Sequence, residues 1–174
     1  MEFPDSSDED FVEKFLSMVV RGTKAGPYKF AFARFLLEYC NQSAVEKHIE
    51  FSTIAQYFLK FFWHQVCKTK LKHSPRYLKK GGVKEPDIIP IIQNEFTESW
   101  YPKYYPHYEK NEKLKIQACV DEITEKCFND VVWRFQKINN EENKIFFDYK
   151  VKPSWTDANR KKTELSYGIN VNPE

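Results

Sequence analysis

The chain has 174 residues, of which 41% are hydrophobic, 17% aromatic and 30% charged, and its formal net charge is +2. This length is typical of one domain with a single core, and the aromatic content excludes a disordered chain. No apolar run approaches the roughly 20 residues that span a bilayer, and the acidic start MEFPDSSDED is unlike a signal peptide. We therefore expect a soluble, cytoplasmic protein whose small net charge by itself identifies no partner.

Helical patterns of apolar residues begin after an acidic lead, which we place at residues 1–10. The first predicted helix covers residues 9–20, where Asp8 offers a cap. A stretch at 21–27 contains two glycines and a proline and separates it from a second helix at 28–40. The wide apolar face of this second helix predicts that it is well buried.

Three further helices are expected. One starts at Ser52 or Thr53, where Thr53-x-x-Gln56 fits a capping box. Another follows Pro86, which suits a first helical turn, and it carries an isoleucine-rich face up to Phe96. The last of the three covers residues 111–127, in which apolar residues keep a helical spacing among alternating charges.

The later part of the chain mixes connectors with β-favouring runs. The tract from Trp100 to Tyr108 is aromatic and interrupted by prolines, which predicts an extended connector. Runs at 131–138 and 145–151 favour strands, and the polar residues between them favour a loop, so we expect an antiparallel pair. A short helix is expected from Thr156 or Asp157, ended by Gly168.

These elements predict a mostly α-helical fold of five or six helices with a small antiparallel β-hairpin near residues 130–152. A single domain is expected over residues 11–168, with a tail at 169–174. The four cysteines, which lie far apart without a Cys-x-x-Cys pair, are expected to be buried and reduced; they are Cys40, Cys67, Cys119 and Cys127.

The sharpest shift in composition is a basic segment at residues 60–84, which contains eight Lys or Arg residues and no Asp or Glu. Cationic side chains on a projecting loop neutralise phosphates, and an adjacent Arg and Tyr add a planar donor and a ring that stacks on a base. A solvated lysine-rich loop is the alternative interpretation. The candidate nucleic-acid-binding residues are Lys68, Lys70, Lys72, Arg76, Tyr77, Lys79, Lys80 and Lys84.

Four passages resemble a known family. YKFAFARFLL at 28–37, and FSTIAQYFL at 51–59 running into Phe62 and Trp63, resemble two helices in the N-terminal region of bacterial HNH-type restriction or defence endonucleases. DVVWRFQ at 130–136 and FFDY at 146–149 resemble the short β segment that lies ahead of the nuclease domain in such proteins.

In that family a ββα-metal module beyond this region supplies the catalytic and metal-binding histidines, whereas His48, His64, His73 and His107 stand singly here. The resemblance therefore implies the accessory or substrate-binding part of such an enzyme without its catalytic module. Three interpretations are compatible with this resemblance: the chain is a fragment of such an enzyme, a separate subunit, or a relative that has lost the catalytic module.

A weak catalytic pattern is also present. Asp148 and Lys150 on a predicted strand, with Asp130 before them, have the form in which two carboxylates hold Mg²⁺ and a lysine orients water. Strand alternation places Asp148 and Lys150 on the face opposite Phe147, which is most simply a solvent face.

No other constellation indicates an enzyme. His64 and Cys67 lie three residues apart, but one such pair is too small for a zinc site, so neither a metal nor a cofactor is expected. The glycines form no phosphate-binding loop. A second hypothesis, a protein–protein interaction or oligomerisation module, rests on the aromatic residues Trp63, Trp100, Tyr104 and Tyr105.

The leading hypothesis is a non-catalytic, DNA-binding module or subunit of a restriction or phage-defence nuclease system. Its expected partners are duplex DNA and a nuclease subunit or catalytic domain, and no membrane is expected. A metal-dependent nuclease that uses Asp130, Asp148 and Lys150 is the third hypothesis.

Overall fold

The computed structural model describes residues 6–21, 27–42, 46–68, 76–77, 83–84, 86–96, 104–127, 131–138, 141–142, 146–149 and 168–171. Within these ranges the chain is mostly helical and contains a small three-stranded antiparallel sheet. The predicted mostly α-helical class is confirmed.

The helices follow the predicted apolar spacing closely. Helix α3 continues into a π-helical turn at His64–Lys68. The predicted capping box is wrong, because α3 already begins at Phe51 and its N-cap residue Glu50 makes no side-chain capping bond. The helices are α1 (Ser6–Arg21), α2 (Pro27–Cys40), α3 (Phe51–Trp63), α4 (Ile88–Phe96), α5 (Tyr105–Asn111), α6 (Lys113–Cys127) and α7 (Val132–Phe135).

The strands are short. β1, β7 and β6 form the three-stranded sheet in that order, β2 pairs with β3, and β4 pairs with β5, all antiparallel. The strands are β1 (His48–Glu50), β2 (Arg76–Tyr77), β3 (Val83–Lys84), β4 (Lys137–Ile138), β5 (Glu141–Glu142), β6 (Phe147–Tyr149) and β7 (Gly168–Val171).

The aromatic tract that we predicted as an extended connector is helical from Tyr105 onward. Pro106 lies in the first turn of α5, where the missing amide hydrogen is not needed, so it starts the helix and does not break it. Tyr105 and Tyr108 are buried against Trp63, with ring centroids 5.8 and 4.8 Å away. Tyr105 and Tyr108 therefore belong to the core, whereas Tyr104 and His107 are exposed.

A small antiparallel hairpin lies near residues 130–152, as predicted, but its strands β4 and β5 are not the two predicted runs. The run at 131–138, expected as one long strand, forms the short helix α7 and the two-residue strand β4, which pairs with β5. The second predicted strand contains β6, but β6 pairs with β7. Buried contacts of Phe135 with Phe32 and Phe147 outweigh the β propensity of this run.

Gln136, directly after α7, takes the place of a neighbouring strand for β6. Its side-chain Nε2 donates to the Phe147 carbonyl oxygen at 2.8 Å, and its Oε1 accepts from the Phe146 and Phe147 amides at 2.8 and 3.3 Å. Gln136 is fully buried. One side chain thus satisfies three backbone groups along β6, where main-chain groups would otherwise be unpaired.

Residues 169–174, predicted as a tail, begin inside the central strand of the sheet. Gly168 was expected to end a helix from Thr156 or Asp157; that helix lies outside the described residues, and Gly168 itself opens β7 opposite Glu50. A Cβ atom on Gly168 would lie 2.0 Å from the Ile49 carbonyl oxygen. Glycine is required here because two backbones approach each other closely.

The core is built around α3. Its apolar stripe is buried between α2, α4 and α6, and its fully buried residues include Ile54, Phe58 and Phe62. Phe32 of α2 links this helical layer to the sheet, since its ring lies edge-on to Phe135 and Phe147 with centroids 5.0 and 5.4 Å apart. Helices and sheet therefore share one aromatic core.

Lys29 of α2 is buried in this core, with only 5% of its surface exposed. Its ammonium nitrogen has no hydrogen-bond partner among the described residues and lies 5.9 Å from the centre of the Phe135 ring. Burial disfavours the charged form and lowers the pKa of Lys29. The side chain therefore destabilises the fold at neutral pH.

Replacing Gln136 with Leu should lower the free energy of unfolding by about 2–4 kcal/mol, because an orphaned buried polar group costs about 1–3 kcal/mol. Urea denaturation measures the loss. Gln117→Leu on the exposed face of α6 is the control and should change stability by less than about 0.5 kcal/mol. Equal stability of the two variants would contradict the role of Gln136.

Replacing Lys29 with Met should raise the free energy of unfolding at pH 7 by about 1–3 kcal/mol, the usual cost of an unpaired buried polar group. The lowered pKa means that the unfolded wild-type chain binds more protons between the folded and unfolded pKa values. The advantage of Lys29→Met should therefore shrink as pH rises toward about 10. A difference that stays constant from neutral pH to that value would contradict this account.

Candidate nucleic-acid interface

The basic segment at 60–84 lies between two buried helices. It begins in the last turn of α3, where Lys60 is exposed, and passes through the π-helical turn. It ends two residues before Pro86 and four residues before the start of α4. The π-helical turn also packs against α4. Both ends of the segment are thus attached to the core, and the residues between them connect neighbouring elements.

Within the segment, β2 and β3 form a two-stranded antiparallel ribbon. Arg76 lies directly opposite Lys84, and Tyr77 lies opposite Val83. Residues directly opposite in such a ladder are close neighbours, and like charges in this position destabilise the pair. The ribbon therefore brings two cationic residues from distant positions in the segment together.

The structure locates only part of the predicted set. Lys68 ends the π-helical turn, and Arg76, Tyr77 and Lys84 lie in the ribbon. Lys70, Lys72, Lys79 and Lys80 lie outside the described residues. The sequence did not predict the ribbon, because two-residue strands leave no alternation pattern and only the antiparallel register shows that Arg76 and Lys84 are opposed.

The end of the segment is anchored by Tyr28 of α2. The Ile88 amide, at the first residue of α4, donates to the Tyr28 hydroxyl oxygen at 2.9 Å. The Cys127 sulfur of α6 lies 3.9 Å from the same oxygen. Burial raises the pKa of Tyr28, so the hydroxyl stays neutral. Three helices therefore meet where the basic segment joins the core.

The predicted catalytic pattern is only partly described. Asp148 lies in β6 and is exposed, as the alternation of this strand predicted, whereas Asp130 and Lys150 lie outside the described residues. Asp148 is opposite Asn170, and Asn170 is opposite His48, whose Nδ1 lies 2.8 Å from the Asn170 side-chain oxygen. Sequence reasoning missed this polar row because its members are up to 122 residues apart.

The four cysteines, all of them among the described residues, form no disulfide in this structure, and contrary to expectation they are not all buried. Cys119 and Cys127 are buried, and burial raises the pKa of each to about 12. Cys67 is half-buried and Cys40 is exposed. Among the described residues, no group of three or more His, Cys, Asp or Glu side chains is arranged to hold a metal ion.

The second hypothesis, a protein–protein interaction module, assumed four exposed aromatic residues, and two of them are buried. Trp63 is 4% exposed and its ring centroid lies 4.5 Å from that of Phe96, while Tyr105 is also buried. Tyr104 is 78% exposed, and Trp100 lies outside the described residues. The buried rings stabilise the α3–α4–α5 contact and do not form an exposed patch with Tyr104.

Comparisons of the chain with protein families, with curated proteins and with solved structures found no match. The similarity to the helical region of HNH-type endonucleases therefore stays a prediction from the residues at 28–63 and 130–149. Of the helices that the structure describes, none is both long and apolar enough to cross a membrane.

Replacing Tyr28 with Phe should leave the Ile88 amide without its acceptor and lower the free energy of unfolding by about 1–3 kcal/mol. Amide hydrogen exchange provides the residue-level readout: exchange should accelerate at Ile88 more than at Phe147, whose amide is held by Gln136. Equal acceleration at both amides would mean that the hydroxyl has no special role in anchoring α4.

Proposed function

We propose that this protein binds duplex DNA through the sugar–phosphate backbone, with the basic segment at 60–84 as the contact surface. The observation that carries this proposal is the register of the ribbon, in which Arg76 lies opposite Lys84. Two cationic positions paired in this way offer one phosphate group two attractive partners.

The surroundings of the ribbon support the same conclusion. Eight cations over 60–84 with no acidic residue make the local charge strongly positive, although the whole chain carries only +2. Binding that uses several phosphates releases counterions, which supplies favourable free energy at low salt. Attachment of both ends to the buried helices α3 and α4 limits the conformational entropy that the segment loses on binding.

The role assigned to the protein is that of a DNA-binding, non-catalytic module of a restriction or phage-defence nuclease system. The resemblance of residues 28–63 and 130–149 to the helical region of HNH-type endonucleases supports this context. Backbone contacts position a protein on the duplex and carry no sequence information by themselves. Selection of a target site and cleavage accordingly belong to the nuclease partner or catalytic domain.

Fluorescence anisotropy with a labelled DNA duplex tests the proposal. We expect binding to the intact chain to weaken steeply between about 50 and 200 mM salt, as it does for proteins that contact several phosphates. The double variant Arg76→Glu/Lys84→Glu should bind more weakly. Its plot of log affinity against log salt should be shallower by about 0.9 for each phosphate that the variant no longer neutralises.

Lys110→Glu/Lys113→Glu is the matched control, since these exposed lysines of α5 and α6 lie outside the basic segment and give the same change in net charge. This variant should retain most of the wild-type affinity and slope. Absence of binding at low salt, or equal weakening by the two double variants, would refute a DNA interface in the basic segment.

A further inference from the structure

Helix α1 has apolar side chains on two faces. One face is buried in the core through Phe15 and Met18. Another carries Val12, Leu16 and Val20, which are 53, 54 and 68% exposed. The exposed face of a helix in a globular protein is ordinarily polar, so an apolar row there indicates a contact that the isolated chain does not make.

These residues form two adjacent ridges with a groove between them. Val12, Leu16 and Val20 follow each other at intervals of four residues and form the apolar ridge. Beside it runs a polar ridge at the same spacing, and side chains of both line one open groove. Ridges at this spacing are those that interdigitate when two helices pack. The polar ridge consists of Glu9, Glu13, Ser17 and Arg21.

The charges of the polar ridge are arranged so that the face complements itself. Its N-terminal half carries Glu9 and Glu13, and its C-terminal end carries Arg21. At 1.5 Å per residue, Arg21 lies about 7.5 Å beyond Leu16, and Glu13 lies about 4.5 Å before it. Consider a second copy of α1 that runs antiparallel to the first, with its Leu16 level with Leu16 of the first helix. Measured along the helix axis, Arg21 of the second helix then lies between Glu9 and Glu13 of the first.

We propose that this face of α1 binds a second copy of the same chain, in an antiparallel arrangement related by a two-fold axis at Leu16. Val12 of one copy then lies opposite Val20 of the other, and each Arg21 lies beside the two glutamates of its partner. A two-fold interface requires this kind of self-complementarity. In antiparallel packing the two helix dipoles also point in opposite directions, and their electrostatic interaction is favourable.

The acidic residues of the polar ridge disfavour the binding of other, negatively charged partners to this face. Glu9 and Glu13 repel a DNA phosphate or an anionic membrane surface, so the face cannot serve the function proposed for the basic segment. The self-association proposal stands independently of DNA binding. Three apolar side chains per copy form an interface smaller than the standard one, which predicts weak, concentration-dependent association.

Sedimentation equilibrium measures this association directly. We expect the wild-type chain to shift from monomer toward dimer between about 10 µM and about 1 mM, the range expected of a small interface. Leu16→Asp should abolish the shift. Leu114→Asp is the matched control, because Leu114 of α6 is 88% exposed and the same substitution there should leave the dimer intact.

A charge exchange tests the antiparallel geometry. Glu9→Arg/Glu13→Arg and Arg21→Glu should each reduce dimerisation, and the triple variant Glu9→Arg/Glu13→Arg/Arg21→Glu should restore it, because all the charges of the two ion-pair positions are then exchanged. Circular dichroism verifies that every variant is folded. A monomer at all concentrations, equal loss in Leu16→Asp and Leu114→Asp, or failure of the triple variant to restore association would overturn the proposal.

Discussion

The position of Phe32 is the constraint on which the rest of the structure depends. Its ring touches Phe58 of α3, Phe135 of α7 and Phe147 of β6, with centroid separations of 5.0 to 6.5 Å and steeply inclined planes. Edge-to-face contacts fix the mutual orientation of rings more strictly than aliphatic packing does. One residue of α2 thereby determines where the sheet lies against the helices, and so where β1, β6 and β7 can pair.

Once β6 is held against Phe32, its backbone must be satisfied, and the side chain of Gln136 does this from the end of α7. Burying an amide side chain is costly unless its groups are bonded, and here both the donor and the acceptor are used. The helical conformation of Val132–Phe135 follows from the same arrangement, because it delivers Phe135 and Gln136 side by side to the core and to the strand.

The helical spacing of apolar residues was sufficient to predict α1, α2, α4 and α6, because the apolar stripe of each helix is visible in its own sequence. It failed where a distant partner decides the conformation. Residues 131–138 favour strands, yet the helix α7 forms within them and packs against Phe32, which is distant in the chain. Pairing of β1 with β7 joins Ile49 to Ile169, and no local pattern in either segment specifies that register.

The candidate interface could likewise be predicted from the sequence only in part. Its composition was visible in the sequence, because eight cations without an acid stand out in any window. The pairing of Arg76 with Lys84 was not visible in the sequence, because it depends on the register of two strands that have only two residues each. What the fold adds to the charge count is therefore the pairing of two cationic positions that lie eight residues apart in the chain.

The basic segment lies between α3 and α4, whereas the first half of α1 is rich in acidic residues, among them Glu9, Asp10 and Glu13. An exposed apolar row on α1 and the buried ammonium group of Lys29 are each unfavourable in the free chain, and the aromatic core around Phe32 offsets such local costs. The apolar row differs from Lys29 in being exposed, since Lys29 is buried in the core. The unfavourable exposure of such a row in the free chain becomes a source of binding free energy in any complex that buries it.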